Sequence, residues 1–205
     1  LYQFQLGIRN QQRKLVVLEH EIPAPSAEEI RMVPRRNYGD TEQMFADLAG
    51  EIRYPAGREL ERLMKKAFID ILSEEEGLPG MNLNRLLNHG VYLICWLRRY
   101  TTDLFDNWKQ SKTGCLVYLG GVKNGKEAMF LKLLSRLPVD VLVLKPDRDA
   151  ICHLTDPRLY EINYGQSLKV EHFPKEEQDI RMGTAAYHAE RELDEVMYRD
   201  SGLYR

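Results

Sequence analysis

Between residues 115 and 144 the hydrophobic positions change rhythm three times. CLVYL, residues 115–119, is continuously apolar and closes on Gly120-Gly121. A stretch with helical spacing follows, and after Pro138 comes a second apolar run, VDVLVL at 139–144. Apolar run, glycine turn, helix and apolar run make a β-α-β unit with parallel strands. Runs this apolar predict strands covered on both faces, so Leu116, Val117, Leu119, Val141, Leu142 and Val143 are expected in the core. Ligands of open α/β sheets sit at the carboxyl ends of such strands, which makes the turn after residue 119 the place to look for function.

The pattern upstream is different. Residues 1–13 are polar and receive no assignment. Residues 14–19 contain LVVL, a candidate strand, and Pro23, Pro25 and Pro34 then interrupt regular structure as far as Gly39, a stretch that reads as a connector. A helix starts near Asp40, an N-cap with Gln43 three residues on, and carries the stripe Met44, Phe45, Leu48, Ala49 and Ile52. A second helix, residues 57–76, repeats Leu60, Leu63, Met64, Ala67, Phe68, Ile71 and Leu72 at three-and-four spacing. Its other face, Arg58, Glu61, Arg62, Lys65 and Lys66, reads as a solvated surface. A third helix begins near Leu83 and is apolar on most sides through VYLICWL. Its stripe runs on to Leu104, Phe105 and Trp108, which favours a buried helix over a strand, with Thr101-Thr102 a candidate break. Beyond residue 144, residues 160–163 (YEIN) and 168–173 (LKVEHF) are candidate strands, and 184–198 a last helix.

The fold class expected from these elements is α/β, Rossmann-like, with a small, mostly parallel sheet. A helical subdomain precedes the β-α-β unit. The divisions are residues 1–39 for the first strand and connector, 40–112 for the helical subdomain, and 113–205 for the α/β part. The absence of an initiating methionine and the abrupt ending suggest a piece of a longer protein.

Composition narrows the partners. A chain of 205 residues can bury a core without staples. Its formal charge of −2 comes from interspersed acids and bases, so electrostatics give no case for nucleic acid as the main partner. Cys95, Cys115 and Cys152 form no Cys-x-x-Cys pair, and two of them lie inside apolar runs, as expected of thiols in a reducing cytoplasm. No run approaches the ~18 apolar residues of a membrane span, and the first residues, with no basic start leading into an apolar run, do not read as a signal peptide. The expected setting is cytoplasmic, with no integral membrane segment.

The chemistry centres on the glycine turn. Gly120 and Gly121 let the backbone approach a ligand closely. Asn124 is an N-cap with Glu127 at the third helical position, and the free N–H groups of that helix, with Lys123 and Lys126, suit a phosphate. GGVKNGKE matches a P-loop up to its last position, where Glu127 replaces the hydroxyl residue that binds Mg²⁺, so a P-loop is rejected. The next strand ends supply Asp147, Arg148 and Asp149, then Asn163, Tyr164, Gln166 and Ser167. The candidate ligand set is Gly120, Gly121, Lys123, Asn124, Lys126, Asp147, Arg148, Tyr164 and Ser167. His188 and Glu192 share one helix face but have no third metal ligand near them in sequence, so a structural hydrogen bond is the better reading. No catalytic residue, metal or cofactor is identified.

The segments NLNRLLNHGVYLICWLRRY, CLVYLGG, EAMFLKLLSRLPVDVLVLKP, YEINYGQSLKVEHFP and MGTAAYHAERELDEVMYRDSGLYR resemble the bacterial YceG-like family. The resemblance spans most of the chain from about residue 38 to 205. It implies a component of a biosynthetic module encoded in tellurite-resistance-type stress gene clusters, and brings no catalytic residues with it. The function expected is a ligand-binding component of that module, using a nucleotide or nucleotide-sugar. The alternative is a non-enzymatic scaffold that holds other proteins of the stress gene cluster.

Overall fold

The structure is a computed structural model of the chain and describes residues 2–106, 113–147, 149–163, 165 and 172–173. It is a mixed α/β fold: among the described residues, six helices accompany one three-stranded parallel sheet. The strands are β1 (Leu15–Leu18), β2 (Gly114–Leu119) and β3 (Val139–Leu144), in the order β1-β2-β3. Leu116 lies opposite Val16 on one side and Val141 on the other, so β2 is the central strand.

The helices are α1 (Tyr2–Asn10), α2 (Ala27–Arg31), α3 (Thr41–Gly50), α4 (Arg58–Glu76), α5 (Leu83–Phe105) and α6 (Gly125–Ser135). Four of them start on side-chain caps. Ser26 and Glu29 form a reciprocal capping box on α2, and Asp40, Asn82 and Asn124 each accept from the third helical amide of α3, α5 and α6. Thus α2 interrupts the expected connector with one short helix, and α1 occupies the stretch left unassigned. α5 does not break at Thr101-Thr102. The Thr101 hydroxyl donates back to the Leu97 carbonyl within the same helix, and helical structure continues to Phe105.

The alternation along β2 divides the core into two layers. Leu116 and Tyr118 join α3–α6 in one large buried cluster, while Cys115 and Val117 pack with Ile8 of α1 and Phe173. Every residue of β2 is buried, as parallel strands require. Burial pushes the Cys115 thiol up to about 11, so it stays protonated and packs as a small apolar group.

β3 departs from expectation. It lies at an edge of the described sheet, and Val141, Leu142 and Val143 are only partly buried. An apolar run therefore marked a strand correctly here but overstated how much of it is covered. Leu142→Ala should cost about 1–2 kcal/mol, below the roughly 2–5 kcal/mol usual for a fully buried leucine, as read by urea titration. Residues 160–163 form no strand, and Tyr160 and Ile162 are exposed. Most of 168–173, all of 184–198 and Trp108 lie outside the described residues.

Candidate functional site

β2 ends at Leu119 and the chain turns through Gly120, whose φ of +126° is a conformation glycine adopts readily and L-residues rarely do. Its amide donates to the Leu144 carbonyl at 2.7 Å, extending the β2–β3 ladder by one bond. At Gly121 the constraint is space. The segment 150–153 passes directly over it, and a β-carbon there would run into the Ile151 carbonyl oxygen and crowd the Ala150 β-carbon. The His153 amide donates to the Val122 carbonyl at 2.8 Å and fastens this strap to the turn. The close approach foreseen at the glycines is therefore made by the chain itself.

A carboxyl group does sit at this turn, and it is that of Glu127. Its side chain is fully buried. One carboxyl oxygen accepts from the Ile22 amide at 2.7 Å and the other from the Lys123 amide at 3.3 Å. Tyr118 is buried beside it, and burial together with this carboxyl pushes the phenol well above its usual range. The residue that argued against a P-loop thus ties three segments together: the exit from β1, the turn that follows β2 and the first turn of α6.

The candidate residues divide among three places. Lys123 is exposed and pairs with Glu21 at 3.0 Å. Asn124 caps α6, accepting from the Glu127 amide at 3.0 Å. Lys126 turns the other way, its Nζ lying 3.7 Å from the centroid of the Tyr92 ring, a cation–π contact. Asp147 is exposed beyond β3, where its carboxylate accepts from the Asp149 amide at 3.0 Å. Arg148, Tyr164 and Ser167 lie outside the described residues.

Following Lys126 leads to a cleft of about 480 Å³ between α5, the start of α6 and residues 21–24. Glu21, His89, Tyr92, Trp96, Asn124 and Lys126 are among the residues lining it. The walls are firmly held. Trp96 Nε1 donates to the Pro23 carbonyl at 2.9 Å, Arg99 donates to the same oxygen at 2.7 Å, and Arg99 also grips the Glu29 carboxylate at 2.8 Å. That pairing, chiefly the hydrogen bond, holds the Glu29 carboxyl below the usual carboxylate range. Tyr92 and Trp96 meet edge to face, 5.7 Å between ring centroids. The amides of Gly125 and Lys126 open α6 without an acceptor among the described residues.

His89 completes the lining. Its Nδ1 is shut off from solvent and has no hydrogen-bond partner among the described residues. Burial, then Lys126, then Arg85 hold the imidazole below its ordinary range. Lys126 and Asn124 came from reading the glycine turn, but His89, Tyr92 and Trp96 did not. Their signal was present as the spacing His89-x-x-Tyr92-x-x-x-Trp96, which sets all three on one face of a helix. It went unused because that helix reads as core. A cation, open helix amides, an imidazole and aromatic walls can together bind an anionic ligand that carries a flat ring.

Among the described residues no three His, Cys, Asp or Glu side chains gather as a metal site, and no helix is long and apolar enough to cross a membrane. In comparison with known proteins, a model of the YceG domain matches residues 3–198, and the chain belongs to that family. No curated protein and no solved structure matches.

Proposed function

We propose that this chain is the nucleotide- or nucleotide-sugar-binding component of a bacterial biosynthetic module serving stress resistance of the tellurite type, and that the ligand occupies the cleft at the start of α6. One observation carries the ligand reading: Lys126 and the open first-turn amides of α6 converge on one cleft walled by Tyr92 and Trp96. Phosphate oxygens suit the first two and a base suits the rings. A Rossmann-like reading of the parallel sheet agrees with it, since the cleft lies beside the turn that leaves the carboxyl end of β2. The stress module rests on the family resemblance. The scaffold alternative would call for exposed apolar surface on α3–α5. Among the described residues the large exposed apolar side chains are instead Phe4 of α1, Met32 and Leu78 next to helix ends, and Ile151, Leu159, Tyr160 and Ile162 past β3.

The test is calorimetric titration of the full chain with a panel of nucleotides and nucleotide-sugars. Lys126→Ala should weaken binding about 10- to 100-fold, the worth of a charge-assisted hydrogen bond. Lys123→Ala, whose charge is already taken by Glu21, should bind like the parent. Equal affinity for Lys126→Ala and the parent chain, or no binding by any ligand of the panel, would reject this reading.

A further inference from the structure

We propose that residues 184–198 pack as an amphipathic helix, beside α1, on the face of the sheet turned away from α5 and α6. Parallel strands need cover on both faces. One face has it, since Leu116 and Tyr118 of β2 join the large cluster with α3–α6. The other face carries Cys115 and Val117 of β2, flanked by Leu15 and Val17 of β1 and by Leu142 and Leu144 of β3. Among the described residues, Ile8 of α1 and Phe173 are the buried side chains brought to it from outside the sheet, and the four flanking residues are only partly buried. Three strands at about 4.8 Å spacing present a face roughly 14 Å across and about 20 Å long. The nine residues of α1 make a helix about 13 Å long and about 10 Å wide, too small to span it.

The chain itself is led to this face. Phe173 is sunk in it, and the Phe173 amide donates to the Glu19 carboxylate at 2.9 Å, just past β1. The chain beyond Phe173 therefore sets out from the uncovered face. Residues 174–205 lie outside the described residues, and their sequence points to the occupant. At about 100° per residue, Ala185, Ala186, Ala189, Leu193, Val196 and Met197 fall on one stripe about 120° wide, while Arg191, Asp194 and Glu195 lie off it. Helix 184–198 would be about 22 Å long, matching the strands, and residues 174–183 can reach up to about 33 Å to place it. The alanines let the stripe come close to the pleated face. Contact reaches Leu142 and Leu144 without enclosing the outer edge of β3, so both stay partly buried. The YceG domain runs from residue 3, within α1, to residue 198, so both covering segments belong to it. A second copy of the chain is the competing occupant. Tethering at Phe173 through a short linker gives the segment an effective concentration on the order of millimolar, an advantage that a second copy lacks.

The test is cross-linking in the full chain, with Cys152→Ser removing the exposed thiol while Cys95 and Cys115 stay buried. Leu144→Cys is combined in turn with Ala189→Cys, with Leu193→Cys and, as the control off the stripe, with Glu195→Cys. Each double variant is treated with a short bismaleimide. The two stripe positions should give a product linked within one chain, several-fold above the control. Equal yields from all three positions, or products linked only between chains, would overturn the inference, and the second result would assign the face to another copy. Leu193→Ser keeps the test decisive should Leu144→Cys fail to fold. In that variant exchange of the β3 amides should quicken at least about tenfold relative to those of α3. Unchanged exchange along β3 would likewise overturn the inference.

Discussion

Replacing Glu127 by alanine is expected to be among the most damaging single changes outside the apolar core, with a loss of about 3–5 kcal/mol in folding free energy. The carboxyl group is fully buried beside Tyr118 and accepts from the amides of Ile22 and Lys123. Truncation strands two donors, of which the Ile22 amide belongs to a buried residue, and opens a cavity beside the buried Tyr118. Each stranded donor costs roughly 1–3 kcal/mol before any relaxation, and the movement that would hydrate them is opposed by Trp96 and Arg99, which hold Pro23 beside Ile22. Glu127→Gln keeps the shape and one carbonyl acceptor but turns an NH₂ toward the remaining donor, so about 1–3 kcal/mol is expected. Chemical denaturation of both variants checks the order. If Glu127→Ala lies within half a kcal/mol of the parent, the carboxyl is not the tie between β1, β2 and α6. Because that tie also shapes one wall of the cleft, Glu127→Gln should weaken ligand binding even where the protein stays folded.

Much of the fold was legible because its signals are local. Asp40 and Asn124 were read as caps from a side-chain acceptor three residues ahead of an amide, and both make that bond. The spacing from Leu60 to Leu72 reports one buried face of α4, and six of those seven side chains, with Met64 and Phe68 at the centre, are almost wholly enclosed. α1 and α2 were missed for opposite reasons. α1 is polar except at a few positions and is fixed by Ile8 against the second core layer, a contact some hundred residues away in sequence. α2 spans five residues between prolines and buries none of them; its capping box and the Arg99–Glu29 pair hold it. Neither leaves a periodic stripe. The half-exposure of β3 was invisible because an apolar run reports what a strand is made of, whereas coverage depends on what packs beside it.

The site was legible only in part, and the reason is geometric. A glycine turn between a parallel strand and a helix names a neighbourhood, but which side faces a ligand depends on side-chain direction. Lys123 and Lys126 look equivalent in sequence, three residues apart. In the structure Lys123 reaches Glu21 and Lys126 reaches Tyr92. Beside the turn, the Ile22 and Lys123 amides are taken by a carboxyl group of the chain itself, that of Glu127. His89 lies some thirty residues before the glycine turn, on a helix whose apolar character had already accounted for it as core.

The two glycines of the turn should fail differently when substituted, and Gly121 should fail harder. At Gly120 a β-carbon meets nothing within 4 Å, so the cost of Gly120→Ala lies in the backbone, whose φ of +126° an alanine rarely adopts. About 1–3 kcal/mol is expected, spread over the whole fold because the Gly120 amide closes the β2–β3 ladder. At Gly121 the backbone is ordinary and the added carbon has nowhere to go. The atom in its way is a main-chain oxygen of Ile151, which cannot rotate aside as a side chain could. The strap must lift, and with it goes the His153–Val122 bond that seals a fully buried Val122. Overpacking of this kind costs about 1–3 kcal/mol when neighbours yield and more when they are backbone, so Gly121→Ala should lose about 3 kcal/mol. Amide exchange separates the two. Gly121→Ala should expose the His153 amide well before global unfolding, whereas Gly120→Ala should leave it protected and lower the stability of the sheet as a whole. Equal protection of His153 in Gly121→Ala and the parent chain would mean that the strap does not depend on the missing side chain.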